Sequence, residues 1–191
     1  MEQSILSSEN VVANSEQFTP SDSCATTSDD SLHILKDMWI LWAHLPHDTD
    51  WSVKSYKKIC KISSIEQALA VYDSIPDKLV ANCMLFLMRD GIEPTWEDEK
   101  NRKGGCFSYK IANKEVLSLW KNLSYMLLGE NLADNTQLMT SINGITISPK
   151  KHFCIVKLWL ATCKFQNPSE ITDSFGLQGA GCLFKKHVPI N

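Results

Sequence analysis

Short strand-like runs separated by turn signals make up most of the chain, and this pattern limits the fold more than any other sequence feature. In the run at residues 38–45, Trp39 falls on one side of an extended chain, and Trp42 and His44 fall on the other. Short connections between successive runs favour antiparallel pairing. The predicted strands span residues 38–45, 52–62, 82–91, 106–111, 143–148, 152–162 and 182–188.

Three helical signals lie between the strand-like runs. A capping box at residues 63–66, in which the Ser63 side chain accepts from the Glu66 N–H, predicts where the first helix begins. The predicted helices run from Ile65 to before Pro76, from an Asn113 cap to Gly129, and from Pro168 to about Gly176.

Together these elements predict an α+β domain of mostly antiparallel strands, in which a curved sheet packs helices on one face. The opposite face of such a sheet is left free for a ligand. Residues 1–32 contain eight serines, three threonines and six carboxylates, and they are predicted to form a disordered acidic tail. The folded domain is predicted to span 33–191.

Charge and composition exclude several classes of protein. Residues 1–35 contain no Lys or Arg, so residues 36–191 carry 19 basic and 16 acidic groups, too small an excess to indicate nucleic-acid binding by itself. No run of 18 apolar residues predicts a membrane helix, and the N-terminus does not read as a secretory signal. Seven scattered cysteines are typical of reduced thiols in a cytoplasmic protein.

The motifs of common enzyme classes are missing from the sequence, which contains no GxxxxGK[ST], HExxH, GxSxG or GxGxxG. There is also no Cys/His cluster at zinc spacing. We therefore expect no catalytic residue, no metal and no cofactor.

The strongest local feature is a tryptophan in a polar, acid-rich loop at residues 90–101. Trp96 either folds back onto the core or offers its indole as a stacking platform, best for a cationic ring. Its neighbour Glu97 could accept two parallel hydrogen bonds from the N1–H and exocyclic amine edge of guanine. Trp51, in a second polar loop, could stack on the other side of the same base.

These residues occur in an order that resembles the messenger-RNA cap-binding translation initiation factor 4E family. The block Gly-Ile-Glu-Pro-x-Trp-Glu-Asp-Glu at 91–99, followed by Asn-x-x-Gly-Gly at 101–105, is the most specific part of the resemblance. Further matching residues are His33, Leu35, Trp39, Leu41, Trp42, Trp51, Trp120, Gly129, Glu130 and Trp159.

The resemblance implies an α+β fold with a curved, cupped antiparallel β-sheet and three helices on the convex face. It also implies a ligand and a set of roles for the base-binding residues. It implies that Trp51 and Trp96 hold 7-methylguanosine between them and that Glu97 reads N1 and N2. The backbone N–H of Trp96 would bond O6, and Trp159 would lie against the N7-methyl group. Methylation at N7 makes the purine cationic, so two π-faces select it over unmodified guanine.

The resemblance is weaker at the phosphate-binding residues, because an arginine of the family corresponds to about Ser148 in this sequence. Lys150 and Lys151 at the tip of the hairpin around Pro149, and Lys157 on the same strand as Trp159, are the predicted replacements. Arg102 is a further candidate. The alternative is that these lysines are ordinary solvated surface charge.

The resemblance also implies a partner surface on the helix side, which binds a helical Tyr-x4-Leu-hydrophobic peptide of a scaffold subunit or a repressor. A central tryptophan of that surface corresponds to Leu69 here, and a proline is replaced by Ile34. The predicted surface residues are His33, Ile65, Leu69, Lys121, Asn122 and Tyr125.

Three functions remain open at this point. The chain could be an initiation factor that recruits capped mRNA through a scaffold as a monomer within a complex. It could be a cap-binding repressor that lacks standard scaffold binding. It could also be an adaptor that kept the fold and lost the ligand, although the intact Trp51, Trp96 and Glu97 set argues against this.

Overall fold

A single antiparallel sheet of seven strands organises the computed structural model, which describes residues 32–171, 177 and 181–187. The strand order is β2-β1-β3-β5-β6-β4-β7. The predicted α+β class with a curved antiparallel sheet is confirmed. The strands are β1 (Ile34–His44), β2 (Lys57–Ser64), β3 (Met84–Arg89), β4 (Gly105–Ala112), β5 (Ile142–Pro149), β6 (Phe153–Leu160) and β7 (Leu183–Lys186).

Alternation along β1 divides the side chains between the two faces of the sheet. Trp39 and Leu41 are fully buried in the larger hydrophobic core, whereas Ile40 and Trp42 belong to a smaller cluster on the opposite side. We call these sides the helix face and the open face. A strand that buries side chains on both faces reads as a continuous apolar run, which is what residues 38–43 show.

Four α-helices in the described part of the chain contribute side chains to the larger core on the helix face. They are α1 (Ile65–Ser74), α2 (Asp77–Asn82), α3 (Val116–Leu128) and α4 (Thr136–Ser141). Within the described ranges, none of the helices combines the length and the apolar character that crossing a bilayer requires.

The capping of α1 differs from the prediction by one residue. Ser64 is the N-cap, and its side chain accepts from the Gln67 N–H at 3.2 Å. Gln67 Oε1 in turn accepts from the Ser63 N–H at 2.9 Å. Glu66 is not part of this cap because its carboxylate accepts from the backbone and the ring of His33.

Other element boundaries also differ from the sequence-based predictions. Asn113 does not cap α3, because residues 113–115 form a 3-10 turn and the Asn113 amide donates to carbonyls elsewhere. Pro168–Glu170 forms a 3-10 turn where the third helix was predicted to begin, and residues 172–176 lie outside the described part. The tail predicted at 1–32 lies almost entirely outside it as well, and the domain limits stay a prediction.

Candidate functional site

The floor of the candidate site is the smaller hydrophobic cluster on the open face. Strand register places Trp42 beside Phe86, Phe86 beside Thr146, and Thr146 beside Lys157, so one row of side chains crosses four strands. Trp96 and Tyr56 pack against this cluster at its edge. The buried members of the cluster are Ile40, Trp42, Phe86, Met88, Ile92 and Trp159.

Trp51 lies in the loop that joins β1 to β2, and it is the most exposed of the candidate aromatic residues at 58%. Its indole stacks on the ring of His44, with centroids 4.3 Å apart and an angle of 4° between the planes. His44 Nε2 lies 2.8 Å from the Asp50 carbonyl oxygen, and a carbonyl only accepts, so Nε2 carries the proton. One face of Trp51 is thus occupied by His44, while much of the indole remains exposed.

Hydrogen bonds to the Asp50 carboxylate fix the backbone around Trp51. The Asp50 carboxylate accepts from the Ser52 N–H at 2.8 Å and from the Ser52 hydroxyl at 2.9 Å. These bonds stabilise the ionised carboxylate and lower the pKa of Asp50. A loop has no β-sheet hydrogen bonds to order its backbone. Hydrogen bonds from the loop's polar side chains can take their place and keep an exposed indole in one position.

Tyr56 interacts with residues of both loops of the site. Its ring contacts His44 and Phe86 edge-on, at centroid distances of 5.1 and 5.3 Å. Burial raises the pKa of the Tyr56 hydroxyl, and the negative charge of Glu97 acts in the same direction. Glu97, which is exposed on the loop between β3 and β4, is therefore close enough to Tyr56 for its charge to act on the hydroxyl.

The loop that carries Trp96 and Glu97 is held from inside by Asn101, which is fully buried. The Asn101 amide donates to the carbonyls of Glu93 and Thr95 at 3.0 and 2.8 Å. Its side-chain oxygen accepts from Asn143 on β5 at 2.9 Å. These bonds connect the loop to the sheet and explain why an asparagine stands at the start of the Asn-x-x-Gly-Gly motif.

Asp98 and Gly104 complete this loop. The Asp98 carboxylate accepts from the backbone N–H groups of Glu93 and Lys100 at 3.0 and 2.8 Å. A Cβ at Gly104 would lie 1.7 Å from the Leu160 carbonyl oxygen, so only glycine permits this approach to β6. Of the acidic residues around Trp96, Asp98 therefore stabilises the loop, whereas Glu97 remains exposed.

Trp159 lies at the base of the site with only 6% of its surface exposed. Its indole N–H donates to the Thr146 hydroxyl at 2.8 Å, so this group is already satisfied by the protein. The ring of His187 lies against it, with centroids 4.9 Å apart. Only a small group of a ligand can reach what remains of the Trp159 surface.

The predicted phosphate-binding residues fall at different distances from Trp159. Lys157 lies one row away on the same strand, since alternate residues of β6 share the open face. Lys150 and Lys151 are exposed at the hairpin tip, further along β6. Arg102 is exposed in the turn that follows Trp96 and donates its backbone N–H to the Asp98 carbonyl at 2.8 Å.

Three of the predicted partner residues line a shallow groove of about 200 Å³ on the helix face, together with Leu35 and Leu128. They are Ile65, Leu69 and Tyr125. Ile65 and Leu69 are each 47% exposed, so this part of the surface presents apolar side chains to solvent.

The other partner candidates lie outside the lining of this groove. Lys121 forms an ion pair with Asp73 at 2.6 Å between α3 and α1, and the hydrogen bond to this carboxylate raises the pKa of Lys121. His33 bonds Glu66 at 2.7 Å, and this bond lowers the pKa of Glu66 to about 2. Asn122 is half-buried on α3.

Sequence reasoning did not assign His44, Tyr56, Asn101 or His187 to the site. His44 was recognisable in part, because it shares a strand face with Trp42, but nothing in the sequence shows that it stacks on Trp51. His187 reaches Trp159 only because β7 pairs with β4 at the edge of the sheet. Among the described residues, no group of three or more His, Cys, Asp or Glu side chains is placed to hold a metal ion.

Comparison with known proteins places this geometry in context. The sequence model of the family described as Eukaryotic initiation factor 4E matches residues 34–178. A translation initiation factor 4E from Candida albicans is 28% identical over 169 residues, covering 83% of this chain and 75% of that protein.

Solved structures agree with this match. The Ascaris suum eIF4E-3 complex with the m7G cap has a TM-score of 0.62 and 26% identity, covering 70% of this chain and 76% of that one. A schistosome eIF4E complexed with m7GpppG and 4E-BP has a TM-score of 0.64 at 23% identity over 70% of this chain and 74% of that one, which supports the fold alone.

Proposed function

The chain belongs to the eukaryotic initiation factor 4E family, and from this premise we propose that it binds the 7-methylguanosine 5′ cap of messenger RNA and acts in translation initiation. Members of this family are cap-binding factors and not enzymes. The observation that carries the proposal is that Trp96 packs against the open-face cluster and that Trp51 is connected to the same cluster through His44 and Tyr56. Glu97 is near enough to Tyr56 for its charge to raise the pKa of the Tyr56 hydroxyl.

The base would be recognised by stacking and by one carboxylate. The exposed indole of Trp51 and the half-buried indole of Trp96 would lie on opposite faces of the purine, each contact contributing about 1–3 kcal/mol. The positive charge that N7-methylation adds to the ring strengthens attraction to both π-faces. Glu97 would accept from N1–H and the exocyclic amine in a charge-assisted pair, which a base without these two donors cannot form.

The N7-methyl group would contact the remaining exposed edge of Trp159. Because its N–H is bonded to Thr146, this indole offers only an apolar surface to the ligand. Lys157, one row away, is the nearest candidate cation for the triphosphate, with Lys150, Lys151 and Arg102 as further candidates. Opposite charges within a Debye length of about 8 Å attract appreciably at physiological salt.

Binding of 7-methyl-GTP against unmethylated GTP, followed by tryptophan fluorescence, tests this function. We expect the methylated nucleotide to bind more tightly. The variants Trp51→Ala, Trp96→Ala and Glu97→Ala are each expected to weaken it by roughly tenfold or more, since about 1.4 kcal/mol is a factor of ten. Glu99→Ala removes an exposed carboxylate of the same loop and is the matched control. Equal affinity for the two nucleotides would refute the assignment.

The partner would be a scaffold initiation-factor subunit that docks a helix on the groove of the helix face, in the cytoplasm, with this chain as a monomer within the complex. The altered groove favours a second candidate, a cap-binding translational repressor that lacks standard scaffold binding. The observation behind it is that Leu69 stands where the family has tryptophan and that the Lys121–Asp73 ion pair lies beside the groove.

A further inference from the structure

The open face of the four strands on the β7 side carries positive charge without any carboxylate among its described residues. Side-chain alternation and the contacts of Trp159, Thr146 and Phe184 define which residues face this side. The open-face residues of these strands are Cys106, Ser108, Lys110, Ala112, Gly144, Thr146, Ser148, Phe153, Ile155, Lys157, Trp159, Leu183 and Lys185.

The lysines follow a line that leads away from Trp159. Lys157 lies one row from Trp159, and Lys110 lies one row further on the neighbouring strand, opposite Ile155. Lys150 and Lys151 follow at the hairpin tip, next to the end of β6. Successive rows are about 6.6 Å apart, because two residues of a strand advance the chain by that distance.

The far end of this line is fixed by the hairpin backbone. The Asn113 amide donates to the carbonyls of both Lys150 and Lys151 at 3.3 Å, which holds the tip against the end of β4 while both side chains stay exposed. Lys110 Nζ lies 4.4 Å above the centre of the Phe153 ring, so a cation and an aromatic ring adjoin one another there.

The four lysines of this line have no carboxylate partner among the described residues, so their charges are available to a ligand. Lys36, Lys61 and Lys121 are each paired with an acid within 3.0 Å. No described ion pair includes Lys110, Lys150, Lys151 or Lys157. A row of unpaired cations beside an aromatic ring is the arrangement by which proteins follow a single-stranded nucleic acid.

We propose that Lys110, together with Lys150 and Lys151, binds the phosphates of the RNA chain beyond the cap triphosphate. This inference rests on the proposed function, since it takes Trp159 and Lys157 as the place where the RNA begins. The RNA body runs from Lys157 toward the hairpin tip, and single-stranded RNA is the occupant because it is continuous with the cap and carries one charge per nucleotide.

The test compares 7-methyl-GTP with a ten-nucleotide RNA bearing the same cap, each titrated with the full chain at several salt concentrations. The capped RNA is expected to bind more tightly, with a steeper salt dependence. Each lysine–phosphate contact adds about 0.7 to the slope of log affinity against log salt, equivalent to roughly fivefold in affinity at 0.1 M salt.

Lys110→Ala is expected to remove one such contact and to leave 7-methyl-GTP affinity unchanged. The double variant Lys150→Ala/Lys151→Ala is expected to lower the affinity and the salt slope for capped RNA more than it lowers those for 7-methyl-GTP. Lys78→Ala removes the same charge from α2 on the helix face and is the control, expected to change nothing. All four substituted positions are exposed, and melting temperatures equal to that of the unmodified chain verify folding.

Several results would overturn the inference. Equal affinity and slope for the capped RNA and the nucleotide would show that nothing binds beyond the triphosphate. A Lys110→Ala variant that weakens 7-methyl-GTP as much as capped RNA would assign this lysine to the triphosphate instead. Loss of slope in Lys185→Ala but not in Lys110→Ala would mean that the RNA crosses β7. Failure of the proposed function has a different signature, which is 7-methyl-GTP binding no tighter than GTP.

Discussion

At the scale of single residues, the exposed Trp51 depends on a partner that lies behind it in the protein. A tryptophan on a polar loop has few neighbours to restrict its rotamers, and fixing a free side chain on binding costs affinity. The parallel stack on His44 reduces that cost because the ring is already in place. The hydrogen bond from His44 to the Asp50 carbonyl holds the histidine in turn.

Replacing His44 therefore tests how the indole is positioned. His44→Ala removes the stack and is expected to weaken 7-methyl-GTP binding by about two- to tenfold, since an aromatic pair contributes about 0.5–1.5 kcal/mol beyond burial. His44→Phe keeps the stack and loses only the bond to Asp50, so its affinity should remain close to that of the unmodified chain. An unchanged affinity in His44→Ala would contradict the positioning role.

At the scale of elements, the loop between β3 and β4 owes its shape to Asn101 and not to any regular structure. The side chain of Asn101 satisfies two carbonyls of the loop and one amide of β5. A buried polar group left without a partner costs about 1–3 kcal/mol. The position of Trp96 and Glu97 therefore depends on a residue that does not itself face the ligand.

Asn101→Ala is expected to lower the free energy of unfolding by about 2–3 kcal/mol and to weaken 7-methyl-GTP binding as the loop loses its shape. Urea denaturation and nucleotide titration measure the two effects. Asn82→Ala, which removes an exposed amide bonded only to the Lys78 carbonyl, is the comparison and should change stability little. Normal stability of Asn101→Ala would show that other bonds define the loop.

The sequence predicted all seven strands, most of them from an apolar run bounded by turn residues and β2 from a weak alternation. It predicted neither α2 nor α4, which have six residues each and therefore less than two turns in which helical periodicity could show. The Asn135 cap of α4, which accepts from the Gln137 and Leu138 N–H groups, was the one local signal. Of the predicted third helix, the described residues include only its start, where Asn167 caps the 3-10 turn Pro168–Glu170.

The site was predicted to a different degree from the fold. Trp51, Trp96 and Glu97 could be singled out because unusual residue types stand in polar loops. The contacts of His44 with Trp51 and of His187 with Trp159 could not be predicted, because each depends on which strands pair.

His187, which directly follows strand β7, is a titratable group next to Trp159. Burial lowers the pKa of the His187 ring, and the charge of Lys157 acts in the same direction, while the bond to the Asn101 carbonyl opposes them. The folded chain then binds fewer protons at His187 than the unfolded chain as pH falls through the ordinary histidine range near 6.5. The free energy of unfolding therefore decreases as the pH is lowered.

Urea denaturation between about pH 7 and 5 checks this expectation. We expect His187→Gln, which retains an N–H for the Asn101 carbonyl, to lose less stability over this interval than the unmodified chain, because the uncharged amide does not titrate. Parallel pH profiles for the two chains would show that His187 has the same pKa folded and unfolded.

At the scale of the whole molecule, the two candidate binding surfaces lie on opposite faces of one sheet. The candidate cap site lies on the open face, and the groove with Leu69 lies on the helix face. Three residues predicted for the partner surface, Ile65, Leu69 and Tyr125, line this one groove, and their role in binding a partner stays a prediction. The sequence did not show the Lys121–Asp73 ion pair, because these residues are far apart in the chain.

A helical Tyr-x4-Leu-hydrophobic peptide is expected to bind the unmodified chain weakly. Leu69→Trp should strengthen it by roughly tenfold or more, because a larger aromatic ring adds buried apolar area to the groove. Calorimetry measures the peptide affinity, and 7-methyl-GTP affinity, expected to be unchanged in Leu69→Trp, is the control. Tight binding by the unmodified chain that Leu69→Ala abolishes would contradict the idea of an altered partner surface.

The alternation along β1 has a consequence for how such a protein can diverge. Trp39 and Trp42 stand three positions apart, yet one belongs to the helix side and the other to the ligand side. A single-residue change in a strand alters one side only, because neighbouring side chains point in opposite directions. Substitutions on the helix face can therefore change the candidate partner surface while the residues of the candidate nucleotide site on the open face stay the same.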